Sequence, residues 1–557
     1  MSTESRSASS YRTVEAQPWG GFPKWLLPIT AVALLLRLYG LGWGLPFEFH
    51  PDESLILAVA TGLHWGDLNP HFFLYPSLFI YQAAFVQWLM GLTSVASAER
   101  IIYVARLLSV LYSTLTVLLV YALASRLGGR RLGLWAAAFY AVLGASVLHA
   151  HYATTDTAMT ALATASVWLS MRAWQRRDLR RQLWAAAMVG LAASIKYSAA
   201  PALLVPLVAC WLSGVERRRK LRQVAAFSLA IGAVALALFI LTSPYVLLDF
   251  HGFLDAQAEQ AQNQMLARSG YHVPPSEGLG WTDRGLFRNL VQVNHDLGAV
   301  GSAMVLLALA TVLVGLVSTA RQPLGDGTGR ARVHEVAGEA KSWMLAAIWP
   351  VGLYLLMAPS ALVAQRYMLP MYPLMAVLAA MGLERLGEWL GGAMRRLVAL
   401  PERAEVFAAG LLSMLLLTSL LAVPGLEGIN ISRLLGRTDT RLVAREWILQ
   451  HLPLGAGLAI EFYSPPFWDS DGFRVSKDSF SLTRRPLSWY CDQDYRYLLT
   501  SSLNYRRYLQ DESARFRRQE RWYRRLFRNA RLIRRFEGEE YGFHHPTLEV
   551  YRLNCFP

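Results

Sequence analysis

Four ionisable side chains fall within six residues of the stretch FEFHPDESLILAVATGL, which starts at Phe47: Glu48, His50, Asp52 and Glu53. The plain reading is a helix start, with Pro51 in the first turn and two acids at the positive end of the dipole. A carboxylate in that position can also take a proton from a hydroxyl. Further along, HAHYATTDTAMTALA supplies His149, His151 and Asp156, GLAASIKYSAAP supplies Lys196, and AQRYMLPMYP supplies Arg366 and Tyr367. Each has its own simple explanation: Asp156 as an N-cap, Lys196 as a lysine snorkelling from a helix end, Arg366 with Tyr367 as an interfacial anchor, the histidines as interfacial residues. Charges at membrane depth are expensive unless they are paired or used. As a set, these groups suit a reaction in which one carboxylate deprotonates an acceptor hydroxyl while cations hold a departing phosphate. The remaining acids orient that base or hold a divalent metal through hard oxygen ligands.

The elements that must position them are membrane helices. With 54% hydrophobic and 17% charged residues and a mean hydropathy of +0.28, the 557-residue chain lies outside the range of soluble domains. The net charge of +15 then reflects loop bias rather than nucleic-acid binding. Apolar runs near 24–43, 101–125, 132–149, 155–174, 183–197, 199–213, 223–244, 298–320, 342–362, 366–386 and 404–424 give roughly eleven spans. The runs 183–197 and 199–213 are short, which points to a tilted or broken element. The first run has no small-x-small cleavage site and reads as an anchor.

The stretch YPSLFIYQAAFVQWLM from Tyr75 is apolar enough to count as a further span. Counting it would turn the basic loops at Arg126 to Arg131, Arg172 to Arg181 and Arg217 to Lys220 outward, so it reads as interfacial or re-entrant. Residues 1–23 then form a cytoplasmic tail and 24–424 the transmembrane domain, in the plasma (inner) membrane. Its external loops at 44–100 and 245–297 are acid-rich, and residues 425–557 lie outside the cytoplasm.

The C-terminal segment reads as a small α/β domain. RLVAREWILQHLP is an amphipathic helix, and GAGLAIEFYSPP, YRYLLTSS and TLEVYRL are strands. RFRRQERWYRRLFRNARLIRRF reads as a basic helix that sets Tyr523, Leu526, Phe527, Ala530 and Ile533 on one face, with its arginines solvated or touching lipid phosphates. Cys491 and Cys555 share this domain and could pair in an oxidising compartment. There is no zinc pattern and no GxGxxG or Walker loop.

Taken in order, the stretches HPDE, DLNPHFFLYPSL, RLLSVLYSTLTVLLVYALASRLGGRRLGLWAAAFYAV, HAHYATTDTAMTAL, GLAASIKYSAAPALLVPL, SPYVLLDFHGFL and QRYMLPMYPLMAVLAA resemble the GT-C membrane glycosyltransferases. The likeness is to the branch of protein O-mannosyltransferases and lipid A aminoarabinose transferases, and it covers most of residues 24–386. It implies a polytopic helical fold with interfacial helices in the first external loop. It also implies inverting transfer of a sugar from a polyprenyl-phosphate donor to a hydroxyl outside the cytoplasm. By that resemblance Asp52 matches the general base, Glu53 its acidic partner and Asp156 the acid of a second loop, while Lys196 and Arg366 meet the donor phosphate. His50, His71, Tyr75, His151 and Tyr367 are lesser candidates for substrate contacts. Asp52, Glu53, Asp156 and His151 are candidate ligands of a divalent metal (Mg, Mn or Zn), on which family members differ. The chain lacks the long central insert of the protein O-mannosyltransferases, so a protein, lipid or glycan acceptor all remain open. Two other readings stand beside this one: a secondary transporter or flippase, and a ligase using a diphosphate-linked donor.

Overall fold

The computed structural model describes residues 23–91, 98–176, 178–216, 221–268, 285–320, 327–358, 364–397, 401–477, 481–510 and 516–555. In lipid every backbone group must be satisfied internally, and the apolar runs accordingly form helices. Among the described residues seven helices are long and apolar enough to cross a bilayer, and the pair Arg130–Val142 and Gly144–Ala150, bent by 57°, makes an eighth.

Three of the sequence-assigned runs differ. Leu26–Leu38 has 13 residues and Gln182–Ile195 has 14, about 20 Å each at ~1.5 Å per residue against a core of about 30 Å. Thr155–Gln175 is long enough but polar: Thr157, Thr160, Thr164, Ser166 and Ser170 are all buried. It is enclosed by other helices rather than lipid, which is why small hydroxyl residues are tolerated along it. The stretch after Tyr75 forms the 12-residue helix Leu78–Leu89, about 18 Å long and too short to span.

The two runs flagged as short are separate helices that pack on each other, joined at an irregular turn. The helix Gln182–Ile195 stops, Lys196 takes extended backbone (φ −154°, ψ 124°), and a 3-10 turn over Tyr197–Leu203 leads into Leu204–Glu216. Pro201 inside that turn offers no backbone N–H, so it removes one hydrogen bond that a continuous α-helix would need there. Elsewhere small residues bring helix backbones close. A Cβ on Gly382 would lie 1.9 Å from the Met304 carbonyl oxygen, and one on Gly190 2.3 Å from that of Ala235.

The sequence places the start of the C-terminal domain at 425, but the helix Glu402–Leu435 carries Pro424 in its interior and runs on to Leu435. The domain core begins with the helix Thr440–His451, whose Ala444 and Ile448 pack on Leu458, Ile460, Leu499 and Val550. Its five strands are β1 (Gly457–Ile460), β2 (Arg474–Lys477), β3 (Tyr497–Ser501), β4 (Arg531–Phe536) and β5 (Leu548–Arg552), in the order β2-β1-β3-β5-β4. β1 runs parallel to β2 and β3, and β5 antiparallel to β3 and β4. The expected α/β architecture is present.

One assignment within this domain changes. The basic helix covers only Arg517–Asn529, because Ala530 turns to extended backbone and the next six residues pair with β5 as β4. Tyr523 and Leu526 are buried as expected. Ile533 sits in β4 and packs with the Thr440–His451 side of the sheet instead. Cys491 and Cys555 are joined in a disulfide across 64 residues.

Replacing Gly382 with valine drives a side chain into the Met304 backbone and should lower the thermal midpoint of detergent-solubilised protein by several degrees. Gly391→Ala, where nothing lies within 4 Å of the added atom, should leave that midpoint unchanged in the same melting assay.

Candidate active site

The helix Pro51–Gly62 begins as its sequence dictates. His50 is the N-cap, with Nδ1 accepting from the Asp52 backbone N–H at 3.3 Å, and Pro51 occupies the first turn. Consecutive residues on a helix do not face the same way, so the two acids that follow part company.

Glu53 turns inward. Its carboxylate accepts from Arg106 Nε at 2.8 Å and Nη2 at 2.7 Å, and from the backbone N–H of Ala153 at 2.9 Å. Arg106 spends Nη1 on the carbonyls of Leu41 and Trp43, both at 2.8 Å, and lies over the Trp43 ring. Both side chains of this pair are 0% exposed. The sequence reading sets Glu53 beside Asp52 as an acidic partner and metal candidate, but the structure commits it to Arg106. The missed signal was an arginine inside an apolar run, which requires a buried acid to meet it.

Asp52 turns the other way and accepts from Arg366 Nη1. Arg366 comes from the short turn Gln365–Met368, which follows extended Ala364. Close by, Asp156 in the first turn of Thr155–Gln175 accepts from Lys196 Nζ at 2.6 Å. Lys196 reaches it from the helix break, not by snorkelling from a continuous helix. The Tyr367 ring lies beside both cations, 5.3 Å from Lys196 Nζ and 5.5 Å from Arg366 Cζ. Asp52 and Arg366 are 17% and 21% exposed and Lys196 15%, whereas Asp156 is 2% exposed. The first three can meet a substrate, while Asp156 stands behind Lys196.

The other sequence candidates divide. Tyr75 belongs to this group, since Asp52, Arg366 and Asp156 all act on its phenol, whose ionisation burial pushes upward. His50 is buried between Tyr152, with ring centroids 4.3 Å apart, and Phe543 at 4.9 Å. Burial holds its imidazole neutral, down at about 3. His71 lies apart and exposed, bonded to Asp67 at 3.1 Å with Asp249 at 4.0 Å. His151 has Nδ1 2.8 Å from the Val147 carbonyl and Nε2 3.0 Å from that of Tyr39, so its ring is tied to backbone.

Two contributors were not singled out from sequence. Asp296, buried before a membrane run, accepts from Tyr372 Oη, from Gln365 Nε2 at 2.7 Å and from Gln292 Nε2 at 3.0 Å. It thereby anchors the residue next to Arg366. The C-terminal domain supplies the second: His544 Nε2 and Tyr152 Oη share a 2.7 Å hydrogen bond, and Phe543 packs on His50. Arg441 lies 3.8 Å over the Phe49 ring, and Tyr541 Oη donates to Glu427 Oε1 at 2.8 Å.

The metal candidates do not converge. Asp52, Glu53 and Asp156 each face a different cation and His151 faces carbonyls. Among the described residues no three His, Cys, Asp or Glu side chains form a metal-binding group. The residues as placed do not fit a divalent ion.

Arg106→Ala would leave Glu53 charged and enclosed, a loss of about 3–5 kcal/mol, and should sharply reduce the yield of monodisperse protein in size-exclusion chromatography. The double variant Glu53→Gln with Arg106→Met removes both charges and should recover folded protein. No recovery in the double variant would show that the ion pair is not what limits folding.

Residues 82–245, which include Asp156 and Lys196, match the family of dolichyl-phosphate-mannose-protein mannosyltransferases. No curated protein matches the chain by sequence. Among solved structures, an oligosaccharyltransferase of Archaeoglobus fulgidus in the apo form is similar at a TM-score of 0.53 and 10% identity, over 89% of this chain and 72% of that one. The archaeal oligosaccharyltransferase AglB of the same organism, in complex with an inhibitory peptide and a dolichol-phosphate, gives 0.50 and 12% over 89% and 70%. ArnT from Cupriavidus metallidurans in the apo state gives 0.46 and 14% over 94% and 97%. The chain thus shares the fold of the archaeal oligosaccharyltransferase, and its residues 82–245 match the mannosyltransferase family model.

Proposed function

We propose that this protein is an inverting glycosyltransferase that moves a sugar from a polyprenyl-phosphate donor to an acceptor hydroxyl outside the cytoplasm. The observation that carries the reading is the pair of ion pairs Asp52–Arg366 and Asp156–Lys196, with Tyr367 beside both cations. A phosphate needs cations, a hydroxyl needs a base, and both stand together here at partly accessible positions. The family match and the fold support the donor class, and a protein of this fold is seen with dolichol-phosphate bound. The disulfide Cys491–Cys555 in the C-terminal domain favours an oxidising compartment and hence the outer face of the plasma membrane.

The chemistry follows from the geometry. Without donor, Arg366 occupies the Asp52 carboxylate. An incoming lipid phosphate takes the guanidinium donors and the remaining protons of Lys196, which Asp156 holds in place from behind. Asp52 is then freed to accept the proton of the acceptor hydroxyl. The acceptor oxygen bonds to the anomeric carbon, the bond from that carbon to the phosphate oxygen breaks, and its electron pair leaves on polyprenyl phosphate beside the two cations. Attack opposite the leaving group inverts the anomeric centre. Stabilising the departing phosphate is the larger contribution, since phosphate needs no proton to leave.

The fold likeness to oligosaccharyltransferases favours one second reading, a ligase using a diphosphate-linked donor. A panel of mono- and diphosphate donors separates the two.

Asp52→Asn should lower transfer from a radiolabelled polyprenyl-phosphate sugar to crude envelope acceptor by about 10²–10⁴-fold while leaving membrane insertion intact. Because Asp52 competes with phosphate for Arg366, the same variant should bind bare polyprenyl phosphate at least as tightly as wild type. Arg366→Ala should weaken that binding. Wild-type transfer by Asp52→Asn would sink the assignment of the base.

A further inference from the structure

We infer that His149 holds a hydroxyl of the donor's sugar, an inference that rests on the glycosyltransferase reading above. His149 is 6% exposed, and neither ring nitrogen has a protein partner at good hydrogen-bond geometry, although the Gln365 side chain, which donates to Asp296, comes near enough to act on one of them. A buried donor or acceptor left unmade costs about 1–3 kcal/mol, and the one amide of Gln365 cannot serve both sides of the ring, so at least one nitrogen is costly unless something else meets it. The local backbone is not the reason. His151, two residues on, has both of its nitrogens against carbonyls from Val147 and Tyr39.

The surroundings of His149 say what would meet it. Asp156, Arg366 and Asp296 lie within electrostatic reach of its ring, as does His50, the cap of the helix that carries Asp52. Its ring centroid is 5.6 Å from that of Tyr152. His149 therefore borders the space between the cation that would hold the phosphate and the helix start that carries the base. A sugar esterified to that phosphate, and attacked at its anomeric carbon by a hydroxyl losing its proton to Asp52, has to lie in that space. Arg366 Nε is also buried and unpartnered, so unspent polar atoms flank the region from two segments.

The chemistry selects a hydroxyl over a phosphate oxygen. A neutral imidazole offers one donor and one acceptor nitrogen. A sugar hydroxyl can answer both kinds of group, whereas phosphate at neutral pH only accepts, and the charges of Arg366 and Lys196 already serve it. His149 thus reads the sugar ring, not the leaving group.

The test uses the full-length protein in detergent and polyprenyl phosphates bearing a hexose, a pentose or no sugar. His149→Ala should weaken binding of the preferred sugar-bearing lipid by about tenfold, the size expected of one or two lost hydrogen bonds, and leave the bare lipid unaffected. His149→Gln, whose amide keeps a donor and an acceptor, should recover most of the loss. Equal weakening for the sugar-bearing and bare lipids would mark a packing role and overturn the inference, as would no weakening at all. If wild type transfers sugar from no member of the panel, the underlying reading falls and this inference with it, an outcome visible before any variant is compared.

Discussion

The site hangs from one buried ion pair. Arg106 sits about two turns into a membrane helix, fully buried, and Glu53 answers it with both carboxylate oxygens. The remaining capacity of the pair goes to the Leu41 and Trp43 carbonyls and the Ala153 amide. Each of these contacts fixes a segment that carries or adjoins a residue of the candidate site. Glu53 adjoins Asp52, Leu41 and Trp43 belong to the turns leading to His50, and Ala153 lies three residues before Asp156. In a low-dielectric interior the pair cannot be broken without stranding a charge, so the geometry between Asp52 and Asp156 is held firmly.

Around that anchor, charge is balanced locally. Asp52 meets Arg366 and Asp156 meets Lys196, so the donor-free site presents little net charge to the bilayer. The pairs differ in accessibility: the buried Asp156 fixes Lys196, while Asp52 and Arg366 stay partly exposed. Asp296, through Gln365, ties down the turn that carries Arg366.

The C-terminal domain is part of this arrangement. His544 bonds to Tyr152 and crosses the Trp43 ring at 4.1 Å, and Phe543 closes over His50. Arg441, paired with Asp439, lies over Phe49. Rings and neutral polar groups, with burial holding His544 far toward its neutral form, cap the helix start without adding charge near Asp52. A domain docked in this way covers the start of the helix that carries Asp52.

The sequence by itself determined the class of the protein. Composition demanded membrane helices, and Asp52, Asp156, Lys196 and Arg366 stood out because charge beside apolar runs is costly. The α/β character of the C-terminal domain was equally legible from its alternating elements. The partnerships were not legible. Glu53 and Asp52 are neighbours in sequence, and only the rotation between successive helical residues sends one to Arg106 and the other to Arg366. Thr155–Gln175 looks like an ordinary span until its burial shows why it is polar, and Ile533 looks helical until β5 offers β4 a ladder. Local chemistry is written in residue order, but which charge neutralises which depends on packing between segments as far apart as Asp52 and Arg366, and that is decided only when the helices close around them.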